Sequence, residues 1–538
     1  MALTSHIFDD LNEPQKQAVT TTNGPLLVVA GPGTGKTLTI VRRIACLIHQ
    51  GARPENILAV TFTNRAAREM RERSQALFGE DAGKIFIGTF HLLGLRIIRD
   101  SRGEEFVILD RDEQVELLKP LMKDSVKKAQ QMVERISRIK NFLVDGDGET
   151  GEIYEAYQAA LKQRNAFDFD DLIGTPIEML QNSDIARTYQ DRFKYIIVDE
   201  YQDINPAQYC LLRLLAGPAG NVCAVGDPDQ AIYAFRGADL ENFLNFEKDF
   251  PGAARITLAE NYRSTAAVLN AADTVIKNNQ KRITKELVPT REQGPQISLL
   301  SVPDEREEGE FIVNEIEHRM GGTSHYQQYT SGARRVTERS FRFSDFAVIY
   351  RTNAQAKALE ETFSASGIPY QVIGRRSNAQ TKEIEETIAY LQSLIQPDNA
   401  AGPGPADAID AKEAKLLTAA DFFDPRADAV ALMTLHMAKG LEFPVVFITG
   451  CEEGLIPCTI MKDGVDIEEE RRLFYVGMTR AKDELFLVHS RRRFLYGQQL
   501  TPLPSPFLSE IPGKFIGVSI VPDRVKKEKQ REKQLGLF

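Results

Sequence analysis

The chain has 538 residues, which is too many for one compact core and indicates two to four packed units. Its 42% hydrophobic and 26% charged residues are ordinary for a globular protein and exclude a disordered, collagenous or fibrous chain. The formal net charge of −10 argues against non-specific coating of nucleic acid, but it is compatible with a locally basic groove.

The sequence also gives expectations about compartment and metal content. It contains no apolar run long enough to cross a bilayer, and its acidic, polar amino terminus resembles neither a signal peptide nor a transit peptide. We therefore expect a cytoplasmic protein with no membrane partner. The five cysteines never form a CxxC pair, so we expect reduced thiols and neither a disulfide framework nor a zinc site.

The first segment that predicts chemistry is a glycine-rich turn between a strand and a helix. The apolar run Leu26–Ala30 is typical of a parallel strand covered on both faces, and a helical pattern follows the turn. Its glycines let successive amides face one concavity, and the helix directs its positive end there, so the turn predicts a phosphate loop. Lys36 would reach the β and γ phosphates, and Thr37 would ligate Mg²⁺. A chance Gly-Lys-Thr in an ordinary turn is the alternative, which the flanking strand and helix disfavour. The predicted nucleotide-binding residues here are Ala30, Gly31, Pro32, Gly33, Thr34, Gly35, Lys36, Thr37 and Leu38.

A second predicted strand ends in two acidic residues. Tyr195–Val198 is apolar, and Asp199 and Glu200 lie at its carboxyl end, where ligands bind in open α/β sheets. Asp199 can hold the Mg²⁺ shell, and Glu200 is placed to orient and deprotonate the attacking water. A solvated strand end is the alternative for the pair alone. Together with the phosphate loop, the pair predicts hydrolysis of ATP with Mg²⁺ as a cofactor.

Nine motifs in a fixed order resemble those of the UvrD/PcrA/Rep group of superfamily 1 DNA helicases. The match covers most of the chain, from Leu11 to about Ile511. The motifs are LNEPQKQAV (from Leu11), TFTNRAAREM (from Thr61), GTFHLLGLRIIR (from Gly88), NAFDFDDL (from Asn165), DEYQD (from Asp199), VGDPDQAIYAFRGA (from Val225), LAENYRS (from Leu258), VALMTLHMAKGLEFPVVFITGCEEGLIP (from Val430) and EEERRLFYVGMTRAKDEL (from Glu468).

The alternation of strands and helices, together with this resemblance, predicts the domain organisation. We expect an α/β fold of two RecA-like parallel-sheet motor domains in tandem, with a small helical insertion, as in other P-loop NTPases. The first motor domain is expected over 1–99 and 165–259, interrupted by a lysine-rich helical accessory insertion over 100–164. The second is expected over 260–396 and 429–520.

The resemblance implies further roles at the ATP site. Gln15 would read adenine, Tyr262 would stack on it, and Glu442 would touch the ribose. Arg263 and Arg480 match the arginine fingers of the family, which reach the nucleotide from the second domain and stabilise the charge on the γ-phosphate. Leu38 stands where relatives often carry an arginine that helps hold the base. With Gln230 as the γ-phosphate sensor, the predicted catalytic residues are Lys36, Thr37, Asp199, Glu200, Gln230, Arg263 and Arg480, and the metal ligands are Thr37 and Asp199.

The resemblance also implies a path for single-stranded DNA. Binding of a strand without sequence preference needs aromatic faces for bases and cations or amides for phosphates. A core aromatic is the alternative for Phe62, and a structural histidine is the alternative for His436. The family usually has Trp where Phe235 stands, so we expect each base to be gripped less firmly. The matching positions are Phe62, Tyr233 and Phe235 for bases, Arg236, His436 and Lys439 for the strand, and, less closely, Thr89, His91 and Arg351.

The largest departure from the family lies in the second domain. Relatives insert a large helical accessory domain after the predicted helix IEETIAYLQSLI, whereas here a Pro/Ala/Gly-rich stretch over 397–428 predicts a linker. Hydrolysis and translocation on a single strand should survive this loss, whereas a lone monomer should unwind a duplex only weakly. The stretch from Gly321 to Ser340 is polar and predicts a loop.

The last residues, 521–538, combine a basic segment with an apolar terminus. Six basic and three acidic residues between Asp523 and Lys533 predict a solvated tail or a loose helix. The final QLGLF resembles the peptide by which bacterial replication and repair proteins dock on the sliding clamp. Packing of the tail on its own domain is the alternative. The predicted clamp-binding residues are Gln534, Leu535, Leu537 and Phe538.

Three readings of function remain open from the sequence. We favour an ATP-driven helicase and translocase that moves 3′ to 5′ on single-stranded and 3′-tailed duplex DNA in repair or replication, as a monomer. One alternative is a translocase without processive unwinding. Another is a non-hydrolysing DNA-binding adaptor on the clamp, against which the full set of predicted catalytic residues argues.

Overall fold

The chain folds into two compact units, and each contains one large parallel sheet. The computed structural model describes residues 7–103, 106–218, 220–321, 341–374, 423–460 and 464–522. Of these, the first unit takes the residues up to Ala259 and a separate short segment, Ile283–Lys285. The second takes Glu260–Arg282, Glu286–Gly374 and the described residues from 423 onward.

The first unit alternates strands and helices along the chain. Its strands are β1 (Leu26–Ala30), β2 (Ile57–Thr61), β3 (Phe86–Thr89), β4 (Val107–Ile108), β5 (Ala166–Phe167), β6 (Tyr195–Val198), β7 (Val222–Gly226) and β8 (Ala254–Leu258). Its α-helices are α1 (Glu13–Thr20), α2 (Lys36–His49), α3 (Asn64–Phe78), α4 (Phe90–Arg102), α5 (Arg111–Leu118), α6 (Val126–Phe142), α7 (Gly148–Gln163), α8 (Asp171–Leu180), α9 (Ser183–Arg192), α10 (Pro206–Ala216), α11 (Leu240–Leu244) and α12 (Phe246–Asp249).

The sheet of the first unit has the strand order β3-β2-β6-β7-β1-β8, with every pair parallel. Successive residues of a strand face opposite sides, so Leu27 and Val29 pack into one hydrophobic core while Leu26 and Val28 pack into the other. Burial on both faces explains why these strands are continuous apolar runs. The carboxyl ends of β1, β6 and β7 lie at the same edge, and this edge carries the phosphate loop, the acidic pair Asp199 and Glu200, and the segment that contains Gln230.

A helical insertion of α5, α6 and α7 separates β4 from β5 and has its own hydrophobic core. Lys140, near the end of α6, donates to Asp168 Oδ2 and Asp171 Oδ1 at 2.7 Å each. All three side chains are buried, and the two carboxylates outweigh the effect of burial and raise the pKa of Lys140. A buried ion pair is favourable only with such complete hydrogen bonding, so this cluster fixes how α6 joins α8.

The second unit follows a similar pattern of strands and helices. Its strands are β9 (Glu260–Asn261), β10 (Val288–Pro289), β11 (Ile297–Val302), β12 (Phe346–Tyr350), β13 (Tyr370–Val372), β14 (Val430–Thr434), β15 (Phe443–Ile448), β16 (Ala481–Ser490), β17 (Arg493–Leu495), β18 (Gln498–Leu500) and β19 (Ile516–Ile520). Its α-helices are α13 (Ala266–Ile276), α14 (Glu305–Arg319), α15 (Asn353–Ser366) and α16 (Ile467–Met478).

The large sheet of the second unit has the order β13-β14-β12-β15-β16-β11-β19 and is also parallel throughout. Its core is built from buried residues such as Phe346, Val348, Val445 and Phe447. The α/β fold of two parallel-sheet domains in tandem, predicted from the sequence, is confirmed.

Several predictions concern residues outside the described ranges. They include the helix IEETIAYLQSLI, most of the predicted linker, nearly all of the predicted loop from Gly321 to Ser340, and the tail from 523 with its four clamp-binding residues. Among the helices that the structure describes, none is both long and apolar enough to cross a membrane.

Candidate nucleotide and DNA sites

The phosphate loop follows β1 and ends at the first turn of α2. Gly33 and Gly35 have φ values of 66° and 82°, a left-handed conformation that glycine adopts without strain. The hydroxyl of Thr34 donates to the carbonyl of Gly31 at 2.9 Å and closes the loop from within. Lys36 Nζ donates to the carbonyl of Ala30 at 3.2 Å, so the ammonium lies over the loop. The predicted residues therefore form one cradle at the amino terminus of α2.

Gln15, the predicted adenine reader, is buried and contacts the phosphate loop directly. Its Nε2 donates to the carbonyl of Thr34 at 3.0 Å, and its Oε1 accepts from the amide of Asn12 at 3.0 Å. The side chain of Asn12 accepts in turn from the amide of Gln15, which completes a capping box at the start of α1. Gln15 thus fixes α1 against the loop.

The acidic residues after β6 are held in defined orientations. Asp199 is buried, and its Oδ1 accepts from the amide of Glu200 at 3.0 Å while Thr61 donates to its Oδ2 at 3.5 Å. Glu200 has φ of 52°, a left-handed conformation that costs a residue with a side chain about 1–2 kcal/mol. Its Oε2 accepts from Gln202 Nε2 at 2.5 Å. Such strain persists only where surrounding contacts hold it, and Gln202 supplies one of them.

The predicted metal ligands, Thr37 and Asp199, offer a hydroxyl and a carboxylate oxygen. Magnesium in nucleotide sites commonly takes one or two protein oxygens and completes its shell with phosphate oxygens and water. Asp199 is fixed by its two neighbours and lies at the same sheet edge as the phosphate loop. The donor set therefore fits Mg²⁺ bound together with a nucleotide.

Gln230, the predicted γ-phosphate sensor, lies in a short 3₁₀ turn, Pro228–Gln230, after β7. Its Nε2 donates to Asp227 Oδ2 at 2.7 Å, and both residues are buried. The amide of Asp227 donates to Gln202 Oε1 at 3.0 Å. One side-chain amide, that of Gln202, therefore contacts both the acidic strand end and the sensor turn.

In the second unit, two of the residues predicted to contact the nucleotide, Tyr262 and Arg263, directly follow β9, and a third, Glu442, pairs with Arg263. Arg263 Nε donates to Glu442 Oε2 at 2.6 Å, and Lys482 pairs with Glu442 Oε1 at 2.7 Å. Burial alone would raise the pKa of Glu442, but these two cations outweigh it and lower the pKa to about 2. Tyr262 is 45% exposed, and its hydroxyl donates to Glu260 Oε2 at 2.8 Å.

Arg480, the other predicted finger, is buried between the end of α16 and the start of β16. Its Nε donates to the carbonyl of Val476 at 2.9 Å, and one terminal nitrogen donates to the carbonyl of Leu441 at 3.2 Å. The other terminal nitrogen donates to the hydroxyl of Thr479 at 3.0 Å. Arg263 also donates to the carbonyl of Thr479, at 3.2 Å, so the two predicted fingers converge on that residue.

The aromatic residues predicted to contact bases form one cluster in the first unit. The rings of Phe62 and Tyr233 stack at 4.5 Å between centroids, and Phe235 lies 5.9 Å from Tyr233. Arg236 lies over both Tyr233 and Phe235. Phe235 is 61% exposed whereas Tyr233 is 8% exposed, so Phe235 presents its ring to solvent and Tyr233 supports it from below.

The two weaker predictions in this unit occupy the start of α4. Thr89 caps the helix, because its hydroxyl accepts from the amide of Leu92 at 3.3 Å. Burial lowers the pKa of His91 to about 4, so its imidazole is neutral at pH 7. The ring of Phe169 lies 6.3 Å from that of His91. The sequence reasoning did not single out Phe169 although the motif NAFDFDDL contains it.

The remaining predicted DNA contacts lie after strands of the second sheet. Arg351 follows β12 and pairs with Glu470 through two hydrogen bonds of 2.6 and 3.1 Å. His436 and Lys439 lie in the turn after β14, and both are partly buried. The hairpin of β17 and β18, which also follows a strand of this sheet, exposes two large apolar rings that were not predicted, Phe494 and Tyr496.

The fold and the phosphate loop define a P-loop nucleotide-binding protein of the parallel-sheet class. Residues 11–251 match the family model of the UvrD/REP helicase N-terminal domain, and residues 256–402 and 411–492 match that of the UvrD-like helicase C-terminal domain. The chain therefore belongs to the UvrD/REP helicase family.

Individual relatives support this assignment. The ATP-dependent DNA helicase PcrA of Staphylococcus aureus is 35% identical in an alignment that covers 95% of this chain and 87% of the relative. The PcrA of Staphylococcus epidermidis is 34% identical, with 94% and 87% covered. The first alignment extends over 654 positions, more than the 538 residues of this chain, so the relative carries residues with no counterpart here.

Proposed function

We propose that this chain is an ATP-dependent DNA helicase that translocates 3′ to 5′ on single-stranded DNA in repair or replication. One observation carries the proposal. The phosphate loop, the acidic strand end and the sensor turn lie at one edge of one sheet, and Gln202 joins the latter two by hydrogen bonds of 2.5 and 3.0 Å. The PcrA relatives, which are named as ATP-dependent DNA helicases, support the substrate class.

Each residue of the site has an assigned role in hydrolysis. Lys36 holds the phosphates, and Glu200 orients and deprotonates the attacking water. Gln230 senses the γ-phosphate. Arg263 and Arg480 stabilise the negative charge that develops on its oxygens. Mg²⁺ held by Thr37 and Asp199 would neutralise charge on the phosphates.

The DNA contacts are assigned to the aromatic cluster of the first unit. Phe235 offers an exposed ring on which a base can stack, and Arg236 beside it offers a cation. The rings of Phe62 and Tyr233 support this arrangement from the sheet edge. In the second unit, His436, Lys439 and Arg351 are assigned to the strand by the family resemblance alone, as is the 3′ to 5′ polarity.

A more limited activity, translocation without processive unwinding, is the second candidate. The composition of 397–428 favours it, because the family resemblance implies a helical accessory domain where this chain has a linker-like stretch. The alignment with the PcrA of Staphylococcus aureus has more positions than this chain has residues, which is in accord with a segment that this chain lacks. On this basis we expect a monomer to move well on a single strand and to separate long duplexes poorly.

Recruitment by the sliding clamp is the most specific part of the proposal. Gln534, Leu535, Leu537 and Phe538 resemble a clamp-docking peptide on a basic tether. A short peptide that orders on binding should have an affinity of roughly micromolar. Tethering to a ring on DNA would raise the local concentration of the motor without a new motor contact. Calorimetry with purified clamp should show binding by the intact chain and none after deletion of residues 534–538, and equal binding by both would reject this assignment.

The main experiment measures ATPase activity with and without single-stranded DNA, followed by strand displacement on tailed duplexes. We expect hydrolysis to be stimulated by the strand, and displacement of short duplexes with a 3′ tail but not with a 5′ tail. The variant Lys36→Ala controls for contaminating ATPases. Absence of DNA-stimulated hydrolysis would favour a non-hydrolysing adaptor, and displacement only from a 5′ tail would reverse the polarity.

A further inference from the structure

A buried lysine outside all the recognised motifs contacts the nucleotide site of the first unit. Lys285 lies in the segment Ile283–Lys285, which belongs to the first unit although the residues on both sides of it belong to the second. The residue is 4% exposed, and its side chain is 1% exposed. Lysine is seldom buried to this extent without a specific partner.

The partners of Lys285 are the two carboxylates of the sensor turn. Its Nζ lies 2.5 Å from Asp227 Oδ1 and also pairs with Asp229 Oδ2. Both aspartates are almost fully buried, at 0% and 1% exposure. Asp227 Oδ1 additionally accepts from the amide of Asp229 at 3.0 Å, so the ammonium and this amide fix one oxygen of Asp227.

The second oxygen of Asp227 holds the sensor. Gln230 Nε2 donates to Asp227 Oδ2 at 2.7 Å. The amide of Asp227 donates to Gln202 Oε1, and Gln202 Nε2 donates to Glu200 Oε2. A continuous chain of hydrogen bonds therefore runs from Lys285 to the sensor in one direction and to the proposed base in the other. Contacts of this kind fix side chains whose position matters for hydrolysis.

The charges of the cluster show why the lysine is needed there. Two carboxylates and one ammonium leave one net negative charge in a site with almost no access to water. Burial alone would raise the pKa of Asp227, but Lys285 first and Lys36 second outweigh it, so the carboxyl remains ionised. Without Lys285, two buried carboxylates would lie close together without the ammonium that they share, and one of them would have to take up a proton or turn away.

We propose that Lys285 is a positioning residue for ATP hydrolysis, which acts through Asp227 on Gln230 and through Gln202 on Glu200. The inference rests on the proposed function, because that function assigns the sensor and base roles to Gln230 and Glu200. Because its side chain is 1% exposed and its ammonium pairs with the two aspartates, we assign the lysine no contact with the nucleotide. Its loss should therefore lower turnover more than nucleotide affinity.

The test compares Lys285→Met with Lys277→Met, the same change at an exposed lysine of the second unit. For Lys285→Met we expect kcat to fall by roughly tenfold to a hundredfold, as for displaced catalytic groups, with KM for ATP and the affinity for a fluorescent ATP analogue within about threefold of wild type. The control variant should match wild type in all three. An unchanged kcat in a folded Lys285→Met protein would overturn the proposal.

A second variant separates positioning from charge balance. Lys285→Met combined with Asp229→Asn has the same net charge in the cluster as the wild type, so its melting temperature should return towards the wild-type value. We expect its kcat to stay low, because the ammonium that fixes Asp227 Oδ1, and through Asp227 the side chain of Gln230, is still absent. Recovery of kcat together with stability would overturn the proposal, as would failure of both variants to fold, since the lysine would then be structural.

Glu200→Gln, measured beside them, distinguishes failure of the inference from failure of the proposed function. If Glu200→Gln abolishes turnover and the Lys285 variants do not reduce it, only the inference is wrong. If Glu200→Gln retains turnover, the assignment of the base is wrong.

Discussion

Replacement of Glu200 by glutamine tests the proposed base with little disturbance of its surroundings. Glutamine keeps the length and shape of the side chain, and its amide oxygen can still accept the hydrogen bond from Gln202 Nε2, which is 2.5 Å in the wild type. A hydrogen bond to a neutral acceptor is weaker than one to a carboxylate by about 1 kcal/mol, so the fold should lose no more than that. The left-handed backbone at φ 52° is equally strained in both proteins.

The expected effect on catalysis is much larger than the effect on stability. Loss of a general base lowers the rate by roughly two to four decades, which corresponds to about 2.7–5.4 kcal/mol at 1.36 kcal/mol per decade. ATP should still bind, because Lys36 and the backbone amides of the phosphate loop are unchanged. Steady-state ATPase with saturating single-stranded DNA gives kcat, and titration with a fluorescent ATP analogue gives the affinity.

A matched control uses the same substitution on the surface of the same unit. Glu247 is 44% exposed in its side chain and pairs with Arg255 at 3.4 Å, away from the phosphate loop, so Glu247→Gln should retain full turnover. The reasoning is refuted if Glu200→Gln keeps kcat within a few fold of wild type while the affinity for ATP is also unchanged. Loss of affinity instead of turnover would place the role of Glu200 in binding.

Three further predictions follow from contacts in the two units. Arg263→Ala and Arg480→Ala should each lose DNA-stimulated hydrolysis but retain binding of single-stranded DNA without nucleotide. Thermal melting shows whether loss of the buried Arg480 has also destabilised the fold. Loss of DNA affinity alone would assign the arginine to the strand. Gly226→Ala should lower kcat, because a Cβ at this position meets the side-chain oxygen of Gln202 and displaces it, and wild-type kcat would show that Gln202 has no influence on the base. Glu442→Gln should be less stable than wild type above about pH 5, because the pKa of Glu442 is lowered in the folded state. The difference in stability should shrink as the pH falls towards 2. A difference in melting temperature that does not vary with pH would contradict this.

Most of the fold could be predicted from the sequence, and so could the part of the nucleotide site that depends on residues close together in the chain. The phosphate loop could be predicted because its conformation depends on nearby residues, above all on Gly33 and Gly35, whose φ values only glycine tolerates well. The acidic strand end was equally clear, because an apolar run before Asp199 marks a buried strand. In both cases the relevant physics lies within about ten residues.

Contacts between distant parts of the chain were not predictable in this way. Lys285 meets Asp227 across 58 residues, and no periodicity or spacing marks such a pair. The rings of Phe169 and His91 are also distant in the chain, and they meet only after the sheet has formed. The contact from Gln15 to Thr34 joins residues 19 positions apart, and only its local part, the capping box of Asn12 and Gln15, depends on neighbouring residues.

The short segment that carries Lys285 also limits how the protein can be divided. The N-terminal family match ends at residue 251, and a fragment that stopped at Ala259 would contain every recognised motif of the first unit. It would nevertheless lack the lysine that pairs with both Asp227 and Asp229 in their buried turn. Chimaeras that exchange motor domains between relatives should therefore transfer the chain through Lys285 together with the first domain, so that both aspartates keep this partner.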